Sequence, residues 1–391
     1  MVNEDLPECA PPPRTFTTVD FEYTYNMSGA ETGLYQDWFN EHAGSAYLYV
    51  FDKKGTYLFN RQTHKTDMNP NLIDFSIVLD DKELVPGNEY MLVGMAQGNH
   101  AGYEASLETP GFTLLHEMIP GVSTIDEYRV KLDRDDDGTY DFGIINYKDA
   151  YGNNYEKMDT LWSTKPNSVQ LVDIPYIAYK PQVTPLPDNH VHVTIPMMRI
   201  TNSIKVNLVN DLFDQDTDPD SYNIIIDFPN GNGTIGFTGA TDPAQRLIYR
   251  SLRKEVKQYT PKSNGAQYDA YGAKPEEDYV IEVPVDNNIS TRANTYCINA
   301  EFGVSRLQKT DGSSLVIYDA ATGEEVARID NFSAWLADYF DHRYDDQEFL
   351  DREYDFTVDI HMNPSSDKGY DWIQAGVAIL GWGKRIQNID W

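Results

Sequence analysis

The sequence predicts an all-β protein built as two β-sandwiches in tandem, with short helices in the second. Many short segments alternate apolar and polar residues with a period of two, and glycine, proline, Asn and Asp turn signals bound them. Regular helical patterns do not separate these segments, which argues against a parallel sheet layered by helices. A change in the phase of the alternation, close to a cluster of prolines, indicates where the two halves meet.

The joint between the halves lies within residues 189–210. Apolar residues occupy odd positions up to Met197 and even positions from Met198 onward. This change of phase indicates either a bulge or a strand that leaves one sheet and enters another. Three prolines between residues 181 and 187 precede the segment and are typical of a linker.

The joint divides the chain into three predicted parts. Residues 1–14 are rich in proline and form an extended N-terminal segment. Residues 15–185 form the N-terminal β-sandwich and residues 186–391 the C-terminal one. Each half is long enough to bury a core of its own.

Local patterns predict the individual elements. Val19–Tyr25 alternates cleanly and is the first strand, and the turn residues Asp52–Gly55 and Asn230–Gly233 each predict a β-hairpin. A short helix is expected near 243–256. A stronger helical pattern over 332–352 places several large apolar side chains on one face.

The composition excludes several classes of function. The 391 residues include 62 Asp plus Glu against 31 Lys plus Arg, a formal net charge of −31. Phosphate backbones would be repelled, so nucleic acid is not an expected partner. No stretch approaches the 18 or so apolar residues of a membrane helix. The opening residues look like a mature or trimmed start, so the lack of an export signal at this point does not predict a cytosolic protein.

One acidic segment has the spacing of a calcium loop. Asp133, Asp135 and Asp137 precede a glycine, as in the first half of an EF-hand loop. The twelfth position is Ile144 in place of the bidentate glutamate, and strands flank the segment. An acidic turn between two strands is the competing interpretation, and we commit to no metal.

The sequence offers no catalytic constellation. His190 and His192 lie two residues apart on one strand face and could contribute two zinc ligands. No Cys or acidic residue lies at a spacing typical of a third ligand, so a solvated strand face is the simpler interpretation. Nucleophile elbows, phosphate-binding loops and dinucleotide fingerprints are missing. We therefore predict no enzyme activity and no cofactor.

The two cysteines, Cys9 and Cys297, leave two possibilities open. An exported protein would favour one disulfide between them. Two unpaired thiols are the alternative, and Cys297 lies out of phase with the apolar residues around it, so it need not be a core residue.

Several segments together resemble one family, and they do so in the family's order. These segments are Asn3–Cys9, Phe21–Met27, Ala46–Gly55, Ile195–Val206, Gln347–Phe356 and Gly381–Gln387. They are similar to the FimB-type fimbrial anchor and accessory subunits of Bacteroidales, which are built like the type V fimbrillins.

The resemblance implies two transthyretin-like β-sandwich domains and no catalysis. It implies export as a lipoprotein to the outer membrane, through a lipidated cysteine upstream of this chain. It also implies assembly with other fimbrial subunits by β-strand addition, in which a donor strand pairs with an exposed sheet edge. Because the last strand reaches Trp391 with no tail beyond it, we expect residues 383–391 to close their own sheet.

The sequence therefore favours a surface-anchored fimbrial subunit with a role in adhesion, the anchor that terminates or nucleates the fimbria. A tip-like adhesive subunit is the first alternative. A surface glycan-binding lipoprotein is the second, and it would need an exposed aromatic platform, for which the 27 tyrosines leave room.

Overall fold

A computed structural model shows that the protein is all-β, as predicted, with two short α-helices among the described residues. The described residues are 14–23, 39, 43–64, 76–98, 112–132, 144–148, 154–158, 160–165, 171–173, 189–237, 239–241, 246–259, 295–338, 345–365, 369–379 and 382–387.

The described residues form 23 strands. In chain order they are β1 (Thr15–Tyr23), β2 (Ala43–Asp52), β3 (Tyr57–His64), β4 (Ser76–Leu79), β5 (Glu89–Gly98), β6 (Phe112–Leu114), β7 (Arg129–Leu132), β8 (Ile144–Lys148), β9 (Asn154–Met158), β10 (Leu161–Thr164), β11 (Leu171–Asp173), β12 (Asn189–Arg199), β13 (Thr201–Asn210), β14 (Tyr222–Phe228), β15 (Thr234–Gly236), β16 (Leu247–Arg250), β17 (Arg253–Gln258), β18 (Tyr296–Ser305), β19 (Ser314–Asp319), β20 (Glu325–Asp330), β21 (Asp355–Ser365), β22 (Gly369–Ile379) and β23 (Trp382–Gln387). Helix α1 (Phe332–Asp338) follows β20, and helix α2 (Asp346–Arg352) precedes β21.

The largest sheet collects strands of the N-terminal half in the order β3-β2-β5-β10-β12-β1-β4, with β11 also paired to β5. Strand β1 lies inside this sheet, parallel to β12 and antiparallel to β4. The side chains of Val19 and Phe21 on β1 are buried in a core that includes Trp162 and Met197. The first strand is therefore an integral part of the sheet.

Two further sheets form the C-terminal half. One has the order β17-β18-β13-β21-β22-β23 and the other the order β16-β14-β19-β20. Side chains from both sheets, such as Val206, Phe302 and Ile226, share one core with Phe332 of α1 and Phe349 of α2. Both helices cover this core, which confirms the helical pattern over 332–352.

The change of phase at the joint has a simple cause. On β12, Ile195 and Met197 point into the core of the N-terminal half, whereas Met198 and the next residue after the strand, Ile200, point into the second core. The strand pairing of β12 shows no register shift, so there is no bulge. The chain leaves one sheet at Ile200 and enters the next as β13, so the second of the two interpretations is correct.

Two local predictions were wrong. Residues 243–256 hold no helix in their described part. They form β16 and most of β17, because Leu247 and Tyr249 alternate into the core while β17 pairs along β18. The expected hairpin around Asn230–Gly233 does not form either, since β15 pairs with β7 of the N-terminal half.

Asn232 explains the lost hairpin. Its side chain is fully buried, accepts a hydrogen bond from the hydroxyl of Tyr249 at 2.7 Å, and donates to the carbonyl of Ser305 at 3.3 Å. These bonds hold the turn at Asn232 in the interior, and the strand that follows it, β15, pairs with β7 of the N-terminal half. The division at residues 185 and 186 stays a prediction, and β12 beyond it pairs with strands of the N-terminal half.

Candidate assembly interface

The first strand is held on both sides and on both faces. Its inner face, which includes Thr17 and Val19, is buried, and its outer face carries Phe16, whose ring stacks on His190 of β12 at 5.4 Å. Strand β1 therefore occupies a slot between β12 and β4 that closely fits its own side chains.

The histidine pair lies on this outer face. Both side chains are exposed, and Nδ1 of His192 is 3.8 Å from the carboxylate of Asp20 on β1. Within the described part of the chain, no group of three or more His, Cys, Asp or Glu side chains is placed to hold a metal ion. The pair contributes cross-strand contacts to the ladder between β1 and β12.

The last described strand is paired within its own sheet. Strand β23 runs antiparallel to β22, with Gly376 opposite Ile386 and Ala375 opposite Gln387. The expectation that the C-terminal strand closes its own sheet is therefore confirmed for Trp382–Gln387. In the described part of the fold β23 has one strand partner, so it forms an edge of the six-stranded sheet.

The segment Gln347–Phe356 has a structural role at the joint. Asp345 caps α2 by accepting a hydrogen bond from the amide of Glu348 at 2.8 Å. Asp351 receives two hydrogen bonds of 2.6 Å from Arg306, and both residues are only 7% exposed. Such a buried bidentate pair fixes the position of α2.

The same segment also contacts the joint strand. The guanidinium of Arg199 at the end of β12 lies 4.2 Å from the centre of the Tyr354 ring, a cation–π contact. The amide of Ser203 on β13 donates to the carbonyl of Tyr354 at 2.7 Å. Helix α2 and the residues after it therefore hold the crossing between the two sheets.

A buried polar network on the six-stranded sheet was not predicted. Asp359 accepts hydrogen bonds from Asn207 at 2.7 Å and from the hydroxyl of Tyr259 at 3.0 Å, and Asn299 donates to Asn207 at 2.7 Å. Burial raises the pKa of Tyr259 well above its ordinary value, and the Asp359 carboxylate adds to this. The sequence held no clear signal of this network, because Asn207 shares its strand with other polar residues such as Ser203 and Lys205.

Cys297 lies at the edge of this network and is buried. Its side chain is 1% exposed, and its Sγ lies 3.9 Å from Oδ1 of Asn207. Burial raises the pKa of its thiol to about 11. The inference that Cys297 need not be a core residue was wrong, because both faces of β18 are covered in this region.

Other predicted site residues lie outside the described residues. Asp133, Asp135 and Asp137 belong to this group, and so does Cys9. Cys297 has no disulfide partner among the described residues, and its pairing with Cys9 stays a prediction. No described helix has the length and apolar character needed to cross a membrane.

The fold is all-β, and its first and last described strands are both paired within the protein's own sheets. The family model of the fimbrillin-A associated anchor proteins Mfa1 and Mfa2 matches residues 6–388, and the chain belongs to this family. A search of curated proteins finds no match. The chain is a fimbria-related subunit of the cell surface, structural rather than catalytic, that associates with other fimbrial subunits.

Solved structures share the fold over nearly the full length. The fimbrial anchor protein Mfa2 from Porphyromonas gingivalis is 17% identical, with a TM-score of 0.53 over 95% of this chain and 98% of that chain. A candidate adhesin from Bacteroides thetaiotaomicron is 18% identical, with a TM-score of 0.62 over 97% and 99%. A candidate polysaccharide-binding protein from the same organism is 21% identical, with a TM-score of 0.60 over 96% and 98%.

Proposed function

We propose that this protein is the basal anchor of a fimbria, held in the outer membrane by an N-terminal lipid and joined to the next subunit by β-strand addition. The two halves act as transthyretin-like β-sandwich domains. The observation that carries the proposal is that the first and the last described strands are both engaged in the protein's own sheets, β1 beside β12 and β23 beside β22. A subunit of this kind ends a strand-exchanged polymer.

Strand addition needs an edge that accepts a donor. The outer edge of β23 meets this need, because a donor strand there would extend the six-stranded sheet by backbone hydrogen bonds. Each apolar side chain that the donor buries contributes about 1.5–3 kcal/mol before the cost of ordering the strand. Both edge strands of this sheet carry cationic residues, Arg253, Lys254 and Lys257 on β17 and Lys384 and Arg385 on β23, so charge alone does not decide between the two edges.

A tip-like adhesin is the first alternative and a glycan-binding lipoprotein the second. The similarity to a candidate polysaccharide-binding protein favours the latter. Glycan recognition would call for exposed aromatic rings. The large apolar side chains that are exposed in the described part of the chain are all aliphatic, which weighs toward the anchor.

The anchor role can be tested in the producing bacterium. We expect deletion of the gene to release fimbriae into the medium, because nothing then holds their base, and we expect the wild-type gene to restore retention. The measurement is the ratio of cell-bound to released fimbrial protein. Fimbriae that stay on the cells while adhesion is lost would identify a tip subunit and overturn the proposal.

A further inference from the structure

The first strand is paired in the direction that resists pulling. Strand β1 runs parallel to β12 over nine residue pairs, from Thr15 opposite Asn189 to Tyr23 opposite Met197. The chain leaves the C-terminal end of β12 and passes at once into β13 of the other half. A load between the N-terminus and the C-terminal half therefore enters at one end of this ladder and leaves at the opposite end.

The parallel arrangement decides how that load acts. A pull on the N-terminal end of β1 draws it backward, while a pull through β13 draws β12 forward, so the two strands are sheared past each other. The evenly spaced hydrogen bonds of a parallel ladder then bear the load together. In an antiparallel pair the same two ends would be neighbours, and the bonds would break one at a time.

Side chains on both faces reinforce the ladder. Val19 and Phe21 would have to leave a buried core if β1 slid. On the outer face, Phe16 stacks on His190, and Arg14 lies 4.9 Å from the centre of the Phe16 ring and 3.3 Å from the carboxylate of Asp80 after β4. The strand is therefore tied to neighbours on each side.

The path beyond β12 is held in the same way. Strand β13 is parallel to β21 over eight residue pairs and antiparallel to β18. At the crossing, the amide of Ile200 donates to the carbonyl of Leu161 at 2.8 Å, and the amide of Ser203 donates to that of Tyr354 at 2.7 Å. The load reaches the second sheet without passing through a long loop.

We propose that the β1–β12 ladder is a shear clamp that carries tension between the N-terminal attachment of this protein and its C-terminal half. The direction of the load rests on the proposed anchor function. The clamp itself is a property of the purified chain and can be measured without cells. Loss of fimbrial retention and loss of mechanical strength are thus separate results.

The test is single-molecule pulling of the full chain in two geometries. In both, one handle is at the N-terminus. The second is an azide-bearing side chain at Leu212, just past β13, for shear, or at His190, beside the start of β1, for peeling. Both positions are exposed. The shear protein also carries His190→Ala, so that both proteins lack the stacking contact of Phe16 on His190. We expect a several-fold higher rupture force in shear at a matched loading rate, since forced unfolding follows the barrier along the direction pulled. Equal forces in the two geometries would overturn the clamp.

A reversible crosslink provides the control. Thr18 and His192 are direct partners on the partly open outer face. In a Cys9→Ser background, Thr18→Cys with His192→Cys forms a disulfide that bypasses the ladder. We expect oxidation to remove the first rupture seen in shear and reduction to restore it in the same molecules. A first rupture that persists after oxidation would place the weak point elsewhere and contradict the proposal.

Discussion

At the scale of single residues, buried polar side chains have the largest effects. Arg306 and Asp351 are almost fully enclosed, and so is Asp359, which accepts hydrogen bonds from the half-buried Asn207 and Tyr259. A buried polar group is stable only while its partners remain, because the removal of one partner leaves the other desolvated and unpaired. These positions should therefore be more sensitive to substitution than the many charged residues of the surface.

Asp351→Ala should lower the free energy of unfolding by about 3–5 kcal/mol, since Arg306 would stay buried without its counter-charge. The matched control is Glu325→Ala. It removes the partner of Arg328 in an exposed pair and should cost at most about 1 kcal/mol. Urea denaturation of the three proteins measures both values. Equal costs for the two variants would show that the buried pair does not hold α2.

The buried thiol of Cys297 should make the free energy of unfolding depend on pH in the alkaline range. Burial raises its pKa in the folded protein to about 11, from an ordinary value of 9.0. As pH rises through this window, the unfolded chain loses the thiol proton while the folded chain keeps it, so stability present at lower pH is lost by an amount on the order of 2 kcal/mol.

The comparison with Cys297→Ala isolates this contribution, because the buried tyrosines titrate in both proteins. Under reducing conditions, we expect the stability difference between wild type and variant to shrink as pH rises from 8.5 to 11. Denaturant midpoints across this range measure it. A constant difference would mean that the thiol does not titrate with a raised pKa in the folded protein.

At the scale of elements, stability depends on one sheet edge and one tight turn. Strand β23 covers the edge of β22, and an uncovered edge invites pairing with other chains. The turn between β2 and β3 is packed tightly: Gly55 has a φ of +82°, and its carbonyl accepts a hydrogen bond from Ile125 at 2.7 Å.

Removal of residues 382–391 should destabilise or aggregate the protein, because it exposes the edge of β22. A chain that ends after Gln387 is the control and should behave as wild type. Light scattering after size exclusion and thermal midpoints give the measurement. If the protein without residues 382–391 keeps its mass and thermal midpoint, β23 is a free tail. That result would favour a role as donor strand for β23.

Gly55→Ala should cost about 1–3 kcal/mol more than Gly323→Ala. Both glycines have a positive φ, but a methyl group at Gly55 would lie 2.9 Å from a side-chain carbon of Ile125, whereas nothing lies within 4 Å at Gly323. The difference in denaturant midpoints thus isolates the steric clash from the backbone strain. Equal losses would indicate that the turn adapts freely.

At the scale of the whole molecule, the two halves share structure. One core holds Tyr49 and Tyr128 of the N-terminal half together with Val206 and Phe302 of the C-terminal half. The short sheet β15-β7-β6 also combines strands of both halves. Shared burial of this kind couples the stability of the halves.

We therefore expect a single cooperative unfolding transition, with equal calorimetric and van't Hoff enthalpies. Trp162→Ala in the first half and Phe302→Ala in the second should each lower the midpoint of that one transition, since both side chains are buried. Differential scanning calorimetry measures this. Two resolved transitions, each moved by one variant alone, would show that the halves unfold independently.

The sequence by itself determined the all-β class, most strands and the helical segment near the C-terminus. Period-two alternation and turn residues are local signals, and a strand such as Thr15–Tyr23 follows them because one face is buried and the other is not. The same alternation indicated the crossing from one sheet to the next. Up to Met197 the apolar side chains face the first core, and from Met198 onward they lie on the opposite face, toward the second core.

The tertiary structure alone decided which strands pair. Nothing in Thr234–Gly236 distinguishes a hairpin partner of β14 from a partner of β7, and the inward hydrogen bonds of Asn232 selected the latter. The parallel pairing of β1 with β12, the buried pair of Arg306 with Asp351, and the burial of Cys297 likewise join residues far apart in the chain. Contacts between distant segments depend on how the sheets stack, and a local pattern carries no information about that.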